Sequence, residues 1–187
     1  MSSFAVNSAA GSALHLSGVG ESEDAEHQVI CLFQSLHLPL RRYALAFGVS
    51  VSDAEDIVQE SFLALFQHLR RGRSRENLHG WLFRVTHNLA LKKRTRSARE
   101  VMGLDYEQIA IADPDAGPEE SMLLRERHAR MQTVLRALPL NDQLCLRLRA
   151  EGLTYRGIAQ VVGISLGSVS ASLTRSLLRV QAMDGRE

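Results

Sequence analysis

The run Thr154-Tyr-Arg-Gly-Ile-Ala-Gln-Val-Val-Gly-Ile-Ser-Leu-Gly-Ser-Val169 leaves this chain few ways to fold. Ile158 and Val162 stand one helical turn apart, and Val169 and Leu173 repeat that spacing beyond Gly163. The pattern predicts two short helices crossing at a tight turn, with the small Ala159 at the crossing. Gly163 supplies a positive φ that costs other residues more, and Ile164 plugs the core behind it. Thr154 and Ser165 are placed to cap the two helices. The segment from Tyr155 to Leu178 therefore reads as a helix-turn-helix, the motif whose second helix offers its N-terminal half to base edges in the major groove.

Helical signals also dominate upstream. Ile30, Phe33, Leu36, Leu40, Tyr43 and Phe47 recur at three- and four-residue steps, and Pro39 is expected to kink or divide this helix. Ser52 and Glu55 have capping-box spacing ahead of the stripe Ala54, Ile57, Val58, Ser61, Phe62, Leu65, Phe66 and Leu69. Residues 72–77 break the pattern. A further helix, opening at Leu78 or Trp81 and closing at Arg96, should bury Trp81, Leu82, Val85 and Leu89. Residues 113–118 form a strong breaker cluster. Beyond it lie a helical block over 119–138, stopped by Pro139, and another from Asn141, its expected N-cap, to Ala150.

No β-alternation or hairpin dipeptide is present. The fold class is thus all-α: two small helical domains joined by an acidic flexible linker, the second containing the helix-turn-helix. The boundaries read as a disordered tail over 1–25, a first domain over 26–99, the linker over 100–118 and a second domain over 119–182.

The formal net charge of +1 conceals a segregation. Arg70, Arg71, Arg73, Arg75, Arg84, Lys92, Lys93, Arg94, Arg96 and Arg99 face Glu76 alone, whereas residues 100–120 hold seven carboxylates and no basic residue. Such asymmetry suggests different partners for different segments, a solvated charged face being the plainer reading. No run approaches the ~18 apolar residues of a membrane span, so membrane insertion is not expected. Residues 1–24 lack Lys and Arg, unlike a secretory leader. Cys31 and Cys145 match neither a metal-ligand spacing nor a disulfide framework, and read as buried, reduced thiols of a cytoplasmic protein. The scattered histidines form no metal or catalytic motif, and no phosphate loop or nucleophile elbow exists; no cofactor, metal or enzymatic activity is expected.

The helix-turn-helix has few cations to neutralise phosphate, the dominant source of DNA affinity. Ser165, Ser168, Ser170, Ser172 and Arg175 lie on its expected reading face, so it should bind weakly alone. The segment from Gly152 to Val169 resembles the promoter −35 reader of bacterial extracytoplasmic-function (ECF) sigma factors. Two further motifs discriminate this family from a generic helix-turn-helix. Asp53-Ala-Glu-Asp-Ile-Val-Gln-Glu-Ser-Phe62 is similar to the family's core-polymerase-binding helix, and Trp81-Leu-Phe-Arg-Val-Thr-His-Asn-Leu-Ala90 to its −10 recognition and melting helix.

The resemblance implies an initiation factor that binds core RNA polymerase and promoter DNA. Asp53, Asp56, Gln59 and Glu60 would dock on polymerase, where opposite charge gives rate and register more than affinity. Asn77 and His79, in and beside the basic loop, would capture an extruded base of the −10 element, at a cost of a few kcal/mol offset by stacking. Arg84, Asn88, Lys92 and Lys93 would follow the strand. Trp81 could wedge or stack, although a Trp opening an apolar stripe belongs more often to the core. Tyr155 and Arg156 join the reading-face residues as −35 candidates.

Asp105, Glu107, Asp113 and Asp115 in the linker could mimic RNA phosphates, plain solvation being an equal alternative. Relatives often carry basic residues where Ser170, Ser172 and Leu177 stand, which leaves the strength of −35 contact open. An anti-sigma factor is a further partner that the resemblance allows, and the free chain is expected to be a monomer. The competing reading is a stand-alone helix-turn-helix regulator that binds duplex operator DNA.

Overall fold

A computed structural model describes residues 17–100, 130–131, 133–135 and 137–184, and all regular structure among them is helical. The expected linker and the acidic candidates within it lie outside the described residues. Helix α1 (Ser17–Leu45) starts inside the stretch read as a tail and runs through Pro39 without a break. Proline removes one backbone donor and crowds the preceding turn. Burial of Leu36, Leu40, Tyr43 and Ala44 around it outweighs that local cost. Ile30 and Phe33, expected in the core, are instead exposed.

Helix α2 (Val51–Arg70) is capped by Ser50, whose Oγ accepts the Asp53 amide at 3.0 Å, and not by the Ser52 and Glu55 box. Glu55 is engaged elsewhere: its carboxylate pairs with Arg41 and with His37 across the α1–α2 contact. The predicted stripe is buried from Ala54 to Leu69, with Phe66 half-buried. Helix α3 (Leu78–Glu100) begins at Asn77, whose φ of 49° is left-handed and whose Oδ1 accepts the Gly80 amide. It buries Leu78, Leu82, Phe83, Thr86, His87 and Ala90, leaving Trp81, Val85 and Leu89 half-buried.

Residues 130–131 and 133–135 are helical ahead of α4 (Leu140–Ala150). Pro139, not Asn141, takes the N-cap position of α4, without a side-chain hydrogen bond. Helices α5 (Tyr155–Val162) and α6 (Leu166–Asp184) follow. Thr154 Oγ1 accepts the Gly157 amide at 3.1 Å, a cap whose loss costs about 1 kcal/mol. Gly163 ends α5 with φ 76° and donates its amide to Ala159, as the turn requires. Val161 is the more deeply buried of the two adjacent valines, and Val162, expected to face inward, is half-buried. Cys145 is buried, whereas Cys31, also expected inside, is exposed.

The apolar side chains of α1–α3 and of α4–α6 form one continuous cluster, with α3 packed on α5. No single described helix is long and apolar enough to cross a membrane.

Candidate nucleic-acid and polymerase interfaces

The α2 stripe turns Asp56, Gln59 and Glu60 outward, and all three are exposed. Asp53 differs from them. Its carboxylate meets Lys93 Nζ at 2.7 Å, and this hydrogen bond, opposed by partial burial, holds its pKa below the ordinary carboxylate value. Lys93 is therefore tied to α2, while Arg84, Asn88 and Lys92 stand exposed along α3.

The basic loop before α3 is fixed from three sides. His68 Nε2 bonds the Ser74 carbonyl at 2.8 Å, its ring packs on Trp81, and Arg75 pairs with Asp24 of α1. Trp81 thus has one side against His68 and belongs partly to the core, as an apolar-stripe position would. Asn77 spends its side-chain oxygen on capping α3, which leaves its amide nitrogen for other contacts. His79 is half-buried with its ring edge toward Phe83, and burial, opposed by the Glu151 charge, lowers its pKa. Phe83 lies one turn further along the same helix, so this contact holds His79 against α3.

On the helix-turn-helix the expected reading face divides. Ser165 caps α6, accepting the Ser168 amide at 3.1 Å, and its hydroxyl pairs with that of Ser168. Ser170 is exposed as expected. Ser172 is only 3% exposed and lies on the inner face, a correction to its expected place among the reading residues. Arg175 is half-exposed, but its Nε and Nη2 donate to both oxygens of Asp142 at 3.1 and 2.8 Å. Burial works to raise the Asp142 pKa; hydrogen bonds from Arg175 and Ser172, with the charges of Arg175 and Arg179, outweigh it and hold the carboxyl low. Tyr155 lies under the Arg149 guanidinium, and Arg156 is exposed beside it.

Sequence reasoning missed Asp142, and a contact between positions so far apart has no local signal. It also missed a cleft in which Glu76 and Asn77, just ahead of α3, and Gly80, Trp81 and Arg84 of α3 face Gly157, Gln160 and Val161 of α5. Among the described residues no cluster of His, Cys, Asp or Glu could hold a metal ion.

The acidic helix and the basic helix lie within residues 32–100, which match Sigma-70 region 2, and the helix-turn-helix lies within residues 128–180, which match Sigma-70 region 4. The chain belongs to the sigma-70 family. Relatives similar to it include sigma factors named as of the ECF type. The ECF RNA polymerase sigma factor SigE of Mycolicibacterium smegmatis is 33% identical over 72% of this chain and 54% of its own length. The alignment thus spans about half of that relative.

The ECF RNA polymerase sigma-E factor of Haemophilus influenzae is 28% identical, over 68% of this sigma factor and 72% of the relative. The fold is shared with the sigma factor RpoE of Bartonella quintana, solved with the anti-sigma factor NepR, at TM-score 0.60 and 23% identity over 82% of this chain and 96% of that one. CnrH, solved with the cytosolic domain of CnrY, gives TM-score 0.59 at 19% identity, covering 92% of this chain and 97% of the other.

Proposed function

We propose that this sigma factor binds core RNA polymerase through Asp56, Gln59 and Glu60, directs it to promoters, and opens the −10 element along α3. The observation that carries this reading is the pairing, within one unit, of an exposed acidic face on α2 with an exposed Arg84, Asn88 and Lys92 row on α3. Acidic side chains complement a basic docking site on a protein partner, whereas a cationic row follows phosphate. Trp81 stacks on an unpaired base from its open side. The −35 element is read weakly by Arg156, Ser168 and Ser170 at the exposed end of the helix-turn-helix. The factor performs no bond-making chemistry of its own, works in the cytoplasm where its polymerase is, and is a monomer when free. An anti-sigma protein of the kind seen with RpoE is a candidate regulator.

Gel filtration of the chain with core RNA polymerase, followed by run-off transcription, tests the reading. Co-elution and promoter-dependent transcripts are expected. Failure to co-elute, together with tight binding to duplex operator DNA at moderate salt, would establish the stand-alone regulator instead.

A further inference from the structure

We propose that His68 is the positioning residue of the −10 site: it holds the basic loop in one shape and sets the attitude of Trp81 before any strand arrives. The inference rests on the reading of Trp81 and α3 as −10 contacts.

His68 stands in the last turn of α2 and takes hold of the loop twice. Its carbonyl accepts the Arg73 amide at 3.3 Å, and its Nε2 bonds the Ser74 carbonyl at 2.8 Å. A carbonyl oxygen only accepts, so Nε2 carries the proton. Main chain and side chain of one residue thus clasp two consecutive loop residues. Just before them the chain reverses at Gly72, whose φ of 62° is left-handed and whose amide bonds the Leu69 carbonyl at 2.9 Å. Just after them the Glu76 amide donates to Ser74 Oγ at 3.2 Å, and Asn77 caps α3. Arg75 reaches across to Asp24 of α1, but that ion pair is solvent-exposed and contributes little. The clasp by His68 therefore dominates the loop's shape.

The same ring reaches Trp81. Their centroids lie 4.8 Å apart with the planes tilted by 44°, within the range of attractive aromatic pairs. One imidazole thus couples the loop to the indole on which the proposed site stacks a base. Stacking tolerates any base, and the cations along α3 follow phosphate, so neither selects a sequence. Selection falls to loop groups held at a fixed distance from Trp81, and His68 fixes that distance. Loop and indole ordered in advance also lower the entropy lost when a base is captured.

The test uses the factor assembled with core RNA polymerase. A single-stranded DNA is selected from a randomised pool, and its affinity is compared with that of the unselected pool. His68→Ala should cut the ratio of the two affinities about tenfold, the order of one lost base–aromatic stack. The salt dependence against the unselected pool should not change, because a positioning ring neutralises no phosphate. His68→Gln, whose amide can donate to the Ser74 carbonyl, should restore part of the ratio. In the free chain, acrylamide quenching of Trp81, the single tryptophan, should rise in His68→Ala as the indole loses the cover of the imidazole. Circular dichroism must show unchanged helix content; should His68→Ala lose helix, His68→Gln is read in its place, with a smaller loss of ratio expected.

An unchanged ratio in a folded variant would overturn the proposal. Equal losses of affinity for pool and selected sequence would do the same, since they mark a merely structural part. Trp81→Ala separates this failure from that of the −10 reading. A ratio that falls in Trp81→Ala but not in His68→Ala removes His68 alone. A ratio insensitive to both, or a pool that yields no preferred sequence, removes the −10 role of α3 and the proposal with it.

Discussion

Asp53 of α2 and Lys93 of α3 meet at 2.7 Å, joining a carboxylate on the acidic helix to an ammonium on the basic one. The pair sits where the start of α2 passes the second half of α3, and neither charge is free to act alone. Lys93→Ala should return the Asp53 carboxyl toward its ordinary value of 3.8, because the lost hydrogen bond is the main cause of its depression. A depressed carboxylate adds stability above its unfolded pKa and loses it as pH falls through the folded value. The variant should therefore show a flatter stability loss below pH ~4 than the wild type. Carboxyl NMR titration and urea melts across that window check both statements.

Because Asp53 is engaged in this pair, the cleaner probe of polymerase docking is its exposed neighbours. Asp56→Lys with Glu60→Lys should weaken binding to core polymerase tenfold or more, about 1.4 kcal/mol, with the melting of the free chain almost unchanged. Fluorescence anisotropy against core polymerase measures the first, and thermal melting the second. Unaltered affinity would remove α2 from the interface.

Asp142 has the same logic on the second unit. Its side chain is 3% exposed and holds Arg175 by both oxygens, so Asp142→Ala should cost about 1.5–3 kcal/mol of stability, as for a hydrogen bond to a charged group. Arg175→Ala should weaken −35 binding through the lost orientation of α6 more than through a lost phosphate contact. A comparison of Arg175→Ala with Asp142→Asn in promoter binding distinguishes these: similar losses mark Arg175 as a positioning residue, and an intact Asp142→Asn marks it as a direct DNA contact.

His87 sets a dependence near neutral pH. Burial lowers its pKa below the ordinary 6.5, and its Nδ1 pairs with the Tyr43 hydroxyl at 2.9 Å. A histidine kept neutral on folding leaves the unfolded chain binding more protons. Stability is therefore full above pH 6.5 and falls as pH drops from there toward the folded value. Burial lowers the His79 pKa in the same direction. Urea melts at pH 7.5 and 5.5 should show that fall, and His87→Gln should reduce it.

The helical periods of α2 and of the helix-turn-helix were legible because their buried faces follow the 3.6-residue repeat, and Thr154 and Gly163 do what their chemistry predicts. The caps of α2 and α4 were not, since Ser50 competes with Ser52 within one turn and Pro139 with Asn141, and tertiary demands on Glu55 decided the first. Pro39 failed as a breaker because packing on α2 and α3 outweighs one missing backbone bond.

Among candidate site residues, sequence order placed Asp56, Gln59, Glu60, Arg84, Asn88 and Lys92 at exposed positions. It could not separate Ser172 from Ser170, because the winding of α6 relative to α4 depends on Asp142, thirty-three positions before Arg175. The α3–α5 cleft was equally hidden, being a meeting of two glycine-bearing faces from distant segments.

The pin between Arg175 and Asp142 has a consequence for how the two promoter grips respond to ions. Each phosphate neutralised by a cation releases about one counterion, so binding falls with ionic strength in proportion to the cations engaged. With Arg175 paired to Asp142, the proposed −35 contact keeps the exposed Arg156 and would release about one counterion through it. The proposed row on α3 has two exposed cations, Arg84 and Lys92, and would release about two. On the proposed roles, rising ionic strength would weaken the α3 contact about twice as steeply as the upstream one.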